Sequence, residues 1–165
     1  MKFSGTVFKY GNDINTDVIF PGRYLKVWEP AEMAKLAMED LDKEFAKKVR
    51  KGDIIVAGKY FGCGSSREQA ATCLKAAGVS VVIAESFARI FYRNAINLGL
   101  AIMVCPEIGS IAEAGDRLEV EPTTGEVKNL TNGKTAKAKV LPPFILEILG
   151  DGGLIPHLKK KMAKA

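Results

Sequence analysis

"DIIVAGKYFGCGSSREQAATCLKAAGVSVVIAESFARIFYRNAINLGLAIMVC", residues Asp53–Cys105, is the stretch that decides the fold. It contains three apolar runs, "DIIVAG", "VSVVIAES" and "LAIMVC". Each is apolar throughout rather than alternating, as expected of strands buried on both faces. From Ser66 to Ala77 the spacing is helical. Ala70, Cys73, Leu74 and Ala77 share a face, and Gly78 is placed to stop the helix. "FARIFYRNAINLG" is helical too, with Ile90, Phe91, Asn94 and Leu98 near one face and Gly99 as the cap. Pro106 ends the third run. Strand, helix, strand, helix, strand predicts a parallel βαβαβ unit.

Upstream, Phe3–Lys9 reads as a strand. "GNDINTD" is turn-rich, and the apolar run Val18–Phe20 closes at Pro21–Gly22. Pro30 opens a helix in which Met33, Leu36, Ala37 and Leu41 recur, reaching the "MEDLD" region. A second helical piece, "KEFAKKVRKG", stops at Gly52. Downstream of "AGD", the segments "RLEVEP", "EVKNLT" and "TAKAKV" alternate, and "TTGE" and "TNGK" between them are hairpin signals. "PFILEILGDGGLIPHLKKK" predicts one or two closing helices interrupted by Gly-Asp-Gly-Gly. The expectation is one mixed α/β domain over residues 1–165, with extra β structure at both ends and a solvated, frayed basic tail at 158–165.

At 165 residues the chain can bury a core without staples. A net charge of +5 suits anionic small substrates or an acidic partner surface. Basic residues interleaved with aromatics on one face, which nucleic acid would want, are not seen. Cys63, Cys73 and Cys105 form no CxxC pair and leave one unpaired, so a reducing cytoplasm fits better than a disulfide framework. "MKFSGTVFKYGND" has no apolar h-region, and no apolar run approaches the ~18 residues of a membrane span. The expected location is the cytoplasm, with no membrane partner.

The junction "YFGCGSSREQA", Tyr60–Ala70, carries the chemistry. Gly62 and Gly64 permit a tight strand-to-helix turn. Ser65 with Glu68, and Ser66 with Gln69, fit capping boxes, which would account for both serines structurally. Arg67 is harder to explain that way. In a first helical turn the dipole disfavours a cation, and an anion at the same spot would relieve it. The third glycine of a dinucleotide fingerprint and the Lys of a phosphate loop are both missing. So are the G-x-S-x-G spacing of a nucleophile elbow and a nearby histidine. His157 is the only histidine and reads as a surface helix residue. No cysteine spacing suits a metal, so no metal is expected on this chain.

Two further clusters stand beside it. "GNDINTDVIFPGRYL" gathers Asn12, Asp13, Asn15, Thr16 and Asp17, followed by Arg23, Tyr24 and Lys26. Turn chemistry explains Asn and Asp in general, and Asp17 sits at the lip of an apolar run. "SFARIFYRNAINLG" carries Arg89, Arg93, Asn94 and Asn97, which suit a polar pocket or an ordinary wet helix face equally.

Taken together, "N-T-D-x-I", "FGxGSSRE" and "SFARIFYRNAINxGL" resemble the aconitase swivel domain. The likeness is greatest to the stand-alone small subunits of the isopropylmalate isomerase and homoaconitase group, and runs from about Phe3 to "GGLIPHLKK". The resemblance implies a β/β/α swivelling domain, and a hydro-lyase that moves a hydroxyl between adjacent carbons of a hydroxy acid. It implies a large partner subunit whose 4Fe-4S cluster acts as Lewis acid, with no cofactor on this chain. By resemblance Ser65 is the base and Asp17 an active-site carboxylate that orients polar groups. Arg67 would clamp a substrate carboxylate, with Ser66 and the Gly64 backbone nearby. The loop holding Tyr24, Leu25 and Lys26 would reach the variable substituent. Tyr24, Leu25 and Val27 favour an isopropyl group, so isopropylmalate is the expected substrate, whereas Lys26 permits the third carboxylate of homoaconitate. Methyl-substituted malates such as citramalate and dimethylmalate are further alternatives. An anion- or RNA-binding module is the alternative of another class. Self-association of the isolated chain is left open.

Overall fold

The computed structural model describes residues 1–165. In chain order the elements are β1 (Phe3–Lys9), α1 (Thr16–Ile19), α2 (Pro30–Ala34), α3 (Phe45–Lys48), β2 (Ile54–Ala57), α4 (Glu68–Ala77), β3 (Val81–Ala84), α5 (Arg89–Leu98), β4 (Ala101–Val104), α6 (Ile108–Ile111), β5 (Arg117–Glu121), β6 (Glu126–Asn129), β7 (Thr135–Lys137), α7 (Pro143–Gly150) and α8 (Leu154–Ala163). The strands form one seven-stranded sheet in the order β4-β3-β2-β1-β5-β6-β7. Its β4-β3-β2-β1 half is parallel, with Val7 beside Ile54, Ile54 beside Val81 and Val81 beside Ala101. The β5-β6-β7 half is antiparallel and joins at β1.

The α/β expectation with a central βαβαβ unit is met. β2 and β3 are buried at every position, as continuous apolar runs demand. Gly78 and Gly99 end α4 and α5 in the left-handed conformation, at φ 107° and 82°. α5 buries Phe91, Ala95 and Ile96. Ile90, placed by its spacing on the apolar face, is instead 50% exposed.

Three expectations are corrected. The helix from Pro30 stops at Ala34, and turns replace it as far as Leu41. The cause is tertiary: Met38 is fully buried at φ 63°, and its N–H donates to the Ile19 carbonyl at 2.8 Å. α4 begins at Glu68, with Arg67 as the residue before it and no side-chain cap, so the two serine capping boxes do not form. The tail at 158–165 is solvated at every position, and α8 runs through it as far as Ala163. His157 is not a surface residue. It is 7% exposed, with Nδ1 2.7 Å from Asp151 Oδ2.

The Gly-Asp-Gly-Gly turn between α7 and α8 is tied down from two sides. Lys75 Nζ donates to the carbonyls of Leu98 and Gly152, joining the ends of α4 and α5 to the turn. Asp151 accepts from Lys160 Nζ at 2.8 Å as well as facing His157. Lys160, then His157, hold the Asp151 carboxyl below its ordinary value of 3.8. The folded-state pKa lies below the unfolded one, so this contribution is complete above the ordinary value and is lost as pH falls through the depressed one. Asp151→Asn is therefore expected to lower Tm near neutrality. Thermal melts through acid should show the gap to the parent protein closing once Asp151 is protonated.

Candidate functional site

The site forms where the loop after β1 meets the turn after β2. Asn12 Oδ1 accepts from Lys59 N–H at 2.7 Å, and the Asp13 N–H donates to the Lys59 carbonyl at 2.8 Å. Further along, Gly62 N–H donates to the Ile14 carbonyl at 2.7 Å, and Thr16 N–H to the Cys63 carbonyl at 2.8 Å. The two segments thus run side by side as a short parallel bridge at Asn15 and Cys63. Asn15 starts α1 by accepting from the N–H groups of Asp17 and Val18.

Gly62 is required by both conformation and space. Its φ is +83°, and a Cβ there would fall inside the Phe91 side chain. Phe91 belongs to an aromatic group with Phe61 and Phe87, at centroid distances of 5.2 and 6.3 Å. That group supports the turn from beneath. Gly64, at φ +97°, then lifts Ser65 and Ser66 into solvent exposure. The Ser66 carbonyl accepts from Asn94 Nδ2 on α5 at 3.2 Å.

Arg67 has its anion within the chain. Its guanidinium pairs with the Asp17 carboxylate, and Nη1 donates to the Phe20 carbonyl at 3.1 Å. Its side chain is 19% exposed against 62% for Asp17, so the carboxylate is the outer member of the pair. Gly22 leaves room for the guanidinium, since a Cβ there would lie 3.3 Å from Nη2. Asp17 and Arg67, distant in sequence, therefore meet.

A cavity of about 520 Å³ opens beside Ser65. Tyr60, Gly64 and Ser65 line one side, and Arg89, Ile90 and Arg93 another. Its volume suits a small organic acid. Sequence spacing left Arg89 and Arg93 undecided between pocket and wet face; here they supply the cavity's positive charge. Tyr24, Leu25 and Lys26 are not among its walls. They follow the tight turn at Gly22–Tyr24, where Tyr24 is half-buried near Phe20 and Arg23 lies 4.7 Å from the Tyr24 ring centroid. Arg23 also forks onto Asp40. Leu25 and Lys26 are exposed, and so, at 76%, is Trp28, the chain's one tryptophan.

The residues present do not fit an iron–sulfur cluster. No three His, Cys, Asp or Glu side chains gather where they could hold a metal. Burial, and secondarily the charge of Asp13, raises the Cys63 thiol pKa. Cys73 and Cys105 are fully buried, their thiols also pushed up by burial. Buried thiols with raised pKa values are poor nucleophiles.

Comparison with known proteins identifies the fold. Residues 5–107 match the model of the aconitase C-terminal domain. The chain belongs to that family. Its full-length relatives include the isopropylmalate/citramalate isomerase small subunit of Methanocaldococcus jannaschii, 57% identical and covering 98% of this chain and 96% of the relative. The 3-isopropylmalate dehydratase small subunit of Caldicellulosiruptor bescii is also 57% identical, with 99% of both chains covered. A crystal structure of a 3-isopropylmalate dehydratase chain from M. jannaschii superposes with a TM-score of 0.94 at 44% identity, covering 99% of this chain and 96% of that one.

Gly62→Ala should destabilise the fold by about 2–4 kcal/mol, combining overpacking against Phe91 with a strained left-handed backbone. The drop in the urea unfolding midpoint measures it.

Proposed function

We propose that this chain is the small subunit of a 3-isopropylmalate dehydratase, which interconverts 2- and 3-isopropylmalate by dehydration and rehydration in leucine biosynthesis. The observation that carries the reading is an exposed Ser65 that lines a cavity with the cations of Arg89 and Arg93, on the same segment as an Arg67 fixed by Asp17. The full-length relatives support it by name.

In this reading Ser65 Oγ takes the proton from the carbon beside a carboxylate. The C–H electron pair becomes the double bond as the hydroxyl leaves the neighbouring carbon. Ser65 returns its proton to one carbon as the hydroxyl adds back to its neighbour. Arg89 and Arg93 attract the substrate carboxylates. Arg67 has five N–H donors, and those not used by Phe20 and Asp17 serve a carboxylate as well. Asp17 keeps that guanidinium in place. The large subunit supplies a 4Fe-4S cluster as Lewis acid, so this chain alone is inactive. The cytoplasm is its proposed location.

Substrate choice is assigned to the loop after Gly22. Exposed Leu25 offers an apolar contact for the isopropyl group, whereas an inward Lys26 would favour a third carboxylate. The name of the M. jannaschii relative makes citramalate the second reading.

Mixed with its large subunit, the chain should turn over isopropylmalate faster than citramalate or homoaconitate. Fastest turnover of homoaconitate would overturn the substrate assignment. Ser65→Ala should cut kcat on the order of 10²- to 10⁴-fold without loss of fold or assembly. Unchanged turnover would dispose of Ser65 as the base.

A further inference from the structure

Thr16 carries a hydroxyl in an almost fully buried position, 1% exposed, at the centre of the site. Its Oγ1 lies 3.2 Å from the Ser65 carbonyl oxygen and 3.1 Å from Ser65 Oγ. Those two atoms of one residue are its hydrogen-bond partners. The Thr16 backbone is fixed from both directions, because its N–H donates to Cys63 and its carbonyl accepts from Phe20. A β-branched side chain is restricted at χ1, and burial at 1% exposure leaves this one no room to swing away. Thr16 Oγ1 is therefore held against Ser65 before any substrate arrives.

The hydroxyl has one proton and two acceptors. With Ser65 neutral, Ser65 O–H donates to Thr16 Oγ1, and Thr16 donates to the Ser65 carbonyl. With Ser65 as the anion, Oγ has no proton to give and becomes the stronger acceptor. A rotation of the Thr16 O–H then brings its proton to Ser65 Oγ. No heavy atom has to move, because both acceptors are already within reach.

We infer that Thr16 is a positioning residue whose hydroxyl switches between the Ser65 carbonyl and Ser65 Oγ, stabilising the serine anion that acts as base. The inference rests on Ser65 being the base. When the Ser65 anion takes the substrate proton it becomes a neutral hydroxyl, and the Thr16 proton swings back to the carbonyl. When Ser65 returns that proton, the swing reverses. The device conserves protons over the cycle and uses no water.

The test compares Thr16→Val, which keeps the shape and removes the hydroxyl, with Thr16→Ser, which keeps the hydroxyl. Both are assayed in the complex with the large subunit. Thr16→Val should lower kcat on the order of 10- to 100-fold, the loss of one hydrogen bond to a charged group. KM should stay within about twofold, since the substrate-binding cations are untouched. The rising limb of the kcat/KM pH profile should move up by about one unit, because the serine anion has lost a donor. Thr16→Ser should restore both. A structural role alone would lower Tm and leave kcat and the pH limb unchanged, and that result would overturn the inference. If the valine variant does not fold, Thr16→Ala makes the same deletion without added bulk. The Ser65→Ala complex separates the two levels. Retained turnover there removes the base itself, whereas lost turnover with an unaffected Thr16→Val removes only the switch.

Discussion

Two backbone hydrogen bonds carry the site: Gly62 N–H to the Ile14 carbonyl and Thr16 N–H to the Cys63 carbonyl. They clamp the loop after β1 to the turn after β2. β1 and β2 are already parallel neighbours, so the clamp extends their pairing past the end of the regular sheet. Apart from the arginines of α5 and the loop after Gly22, every group assigned a chemical part depends on that extension. Asp17 and Thr16 arrive on one segment, Ser65 and Arg67 on the other. Each segment is rooted in the core, the first through Ile14 and the second through Phe61. They hold each other, and the Phe61, Phe87 and Phe91 rings press on the turn from below.

The electrostatics follow from that contact. An arginine at the start of α4 opposes the helix dipole. Here Asp17 compensates it, and Phe20 fixes one end of the guanidinium. A cation that would be destabilising alone becomes half of a preorganised pair. Because Asp17 is the more exposed partner, the pair presents a carboxylate to incoming ligands as well as a guanidinium. Arg89 and Arg93, which line the cavity beside Ser65, offset this. The site is positive on balance, as an organic acid requires.

Strands β2, β3 and β4 were legible because they are apolar at every position and the two helices between them end in glycine. The hairpins β5 to β7 were legible from their turns. The three polar clusters were legible as motifs, and their order along the chain pointed to the family. What could not be read was anything decided by a distant partner. Met38 breaks a well-patterned helix to reach the Ile19 carbonyl. His157 looks like a surface residue until Asp151 and the packing of α8 are in place. The serines of "GSSRE" fit a capping pattern that the Arg67 conformation disallows. Thr16 carried no signal of its own: a threonine beside an aspartate in a turn-rich loop is ordinary, and its role depends on Ser65, 49 residues away.

Trp28 has an optical consequence. As the chain's sole indole, lying on the exposed loop rather than in the core, it emits from a hydrated environment while the protein is folded. Unfolding barely changes that environment, so tryptophan fluorescence is nearly blind to collapse of the sheet. It is instead a reporter of whatever covers the loop. A blue shift on mixing with another protein would record the loop leaving water, independently of any turnover, and the tryptophan is already in place to report it without a dye.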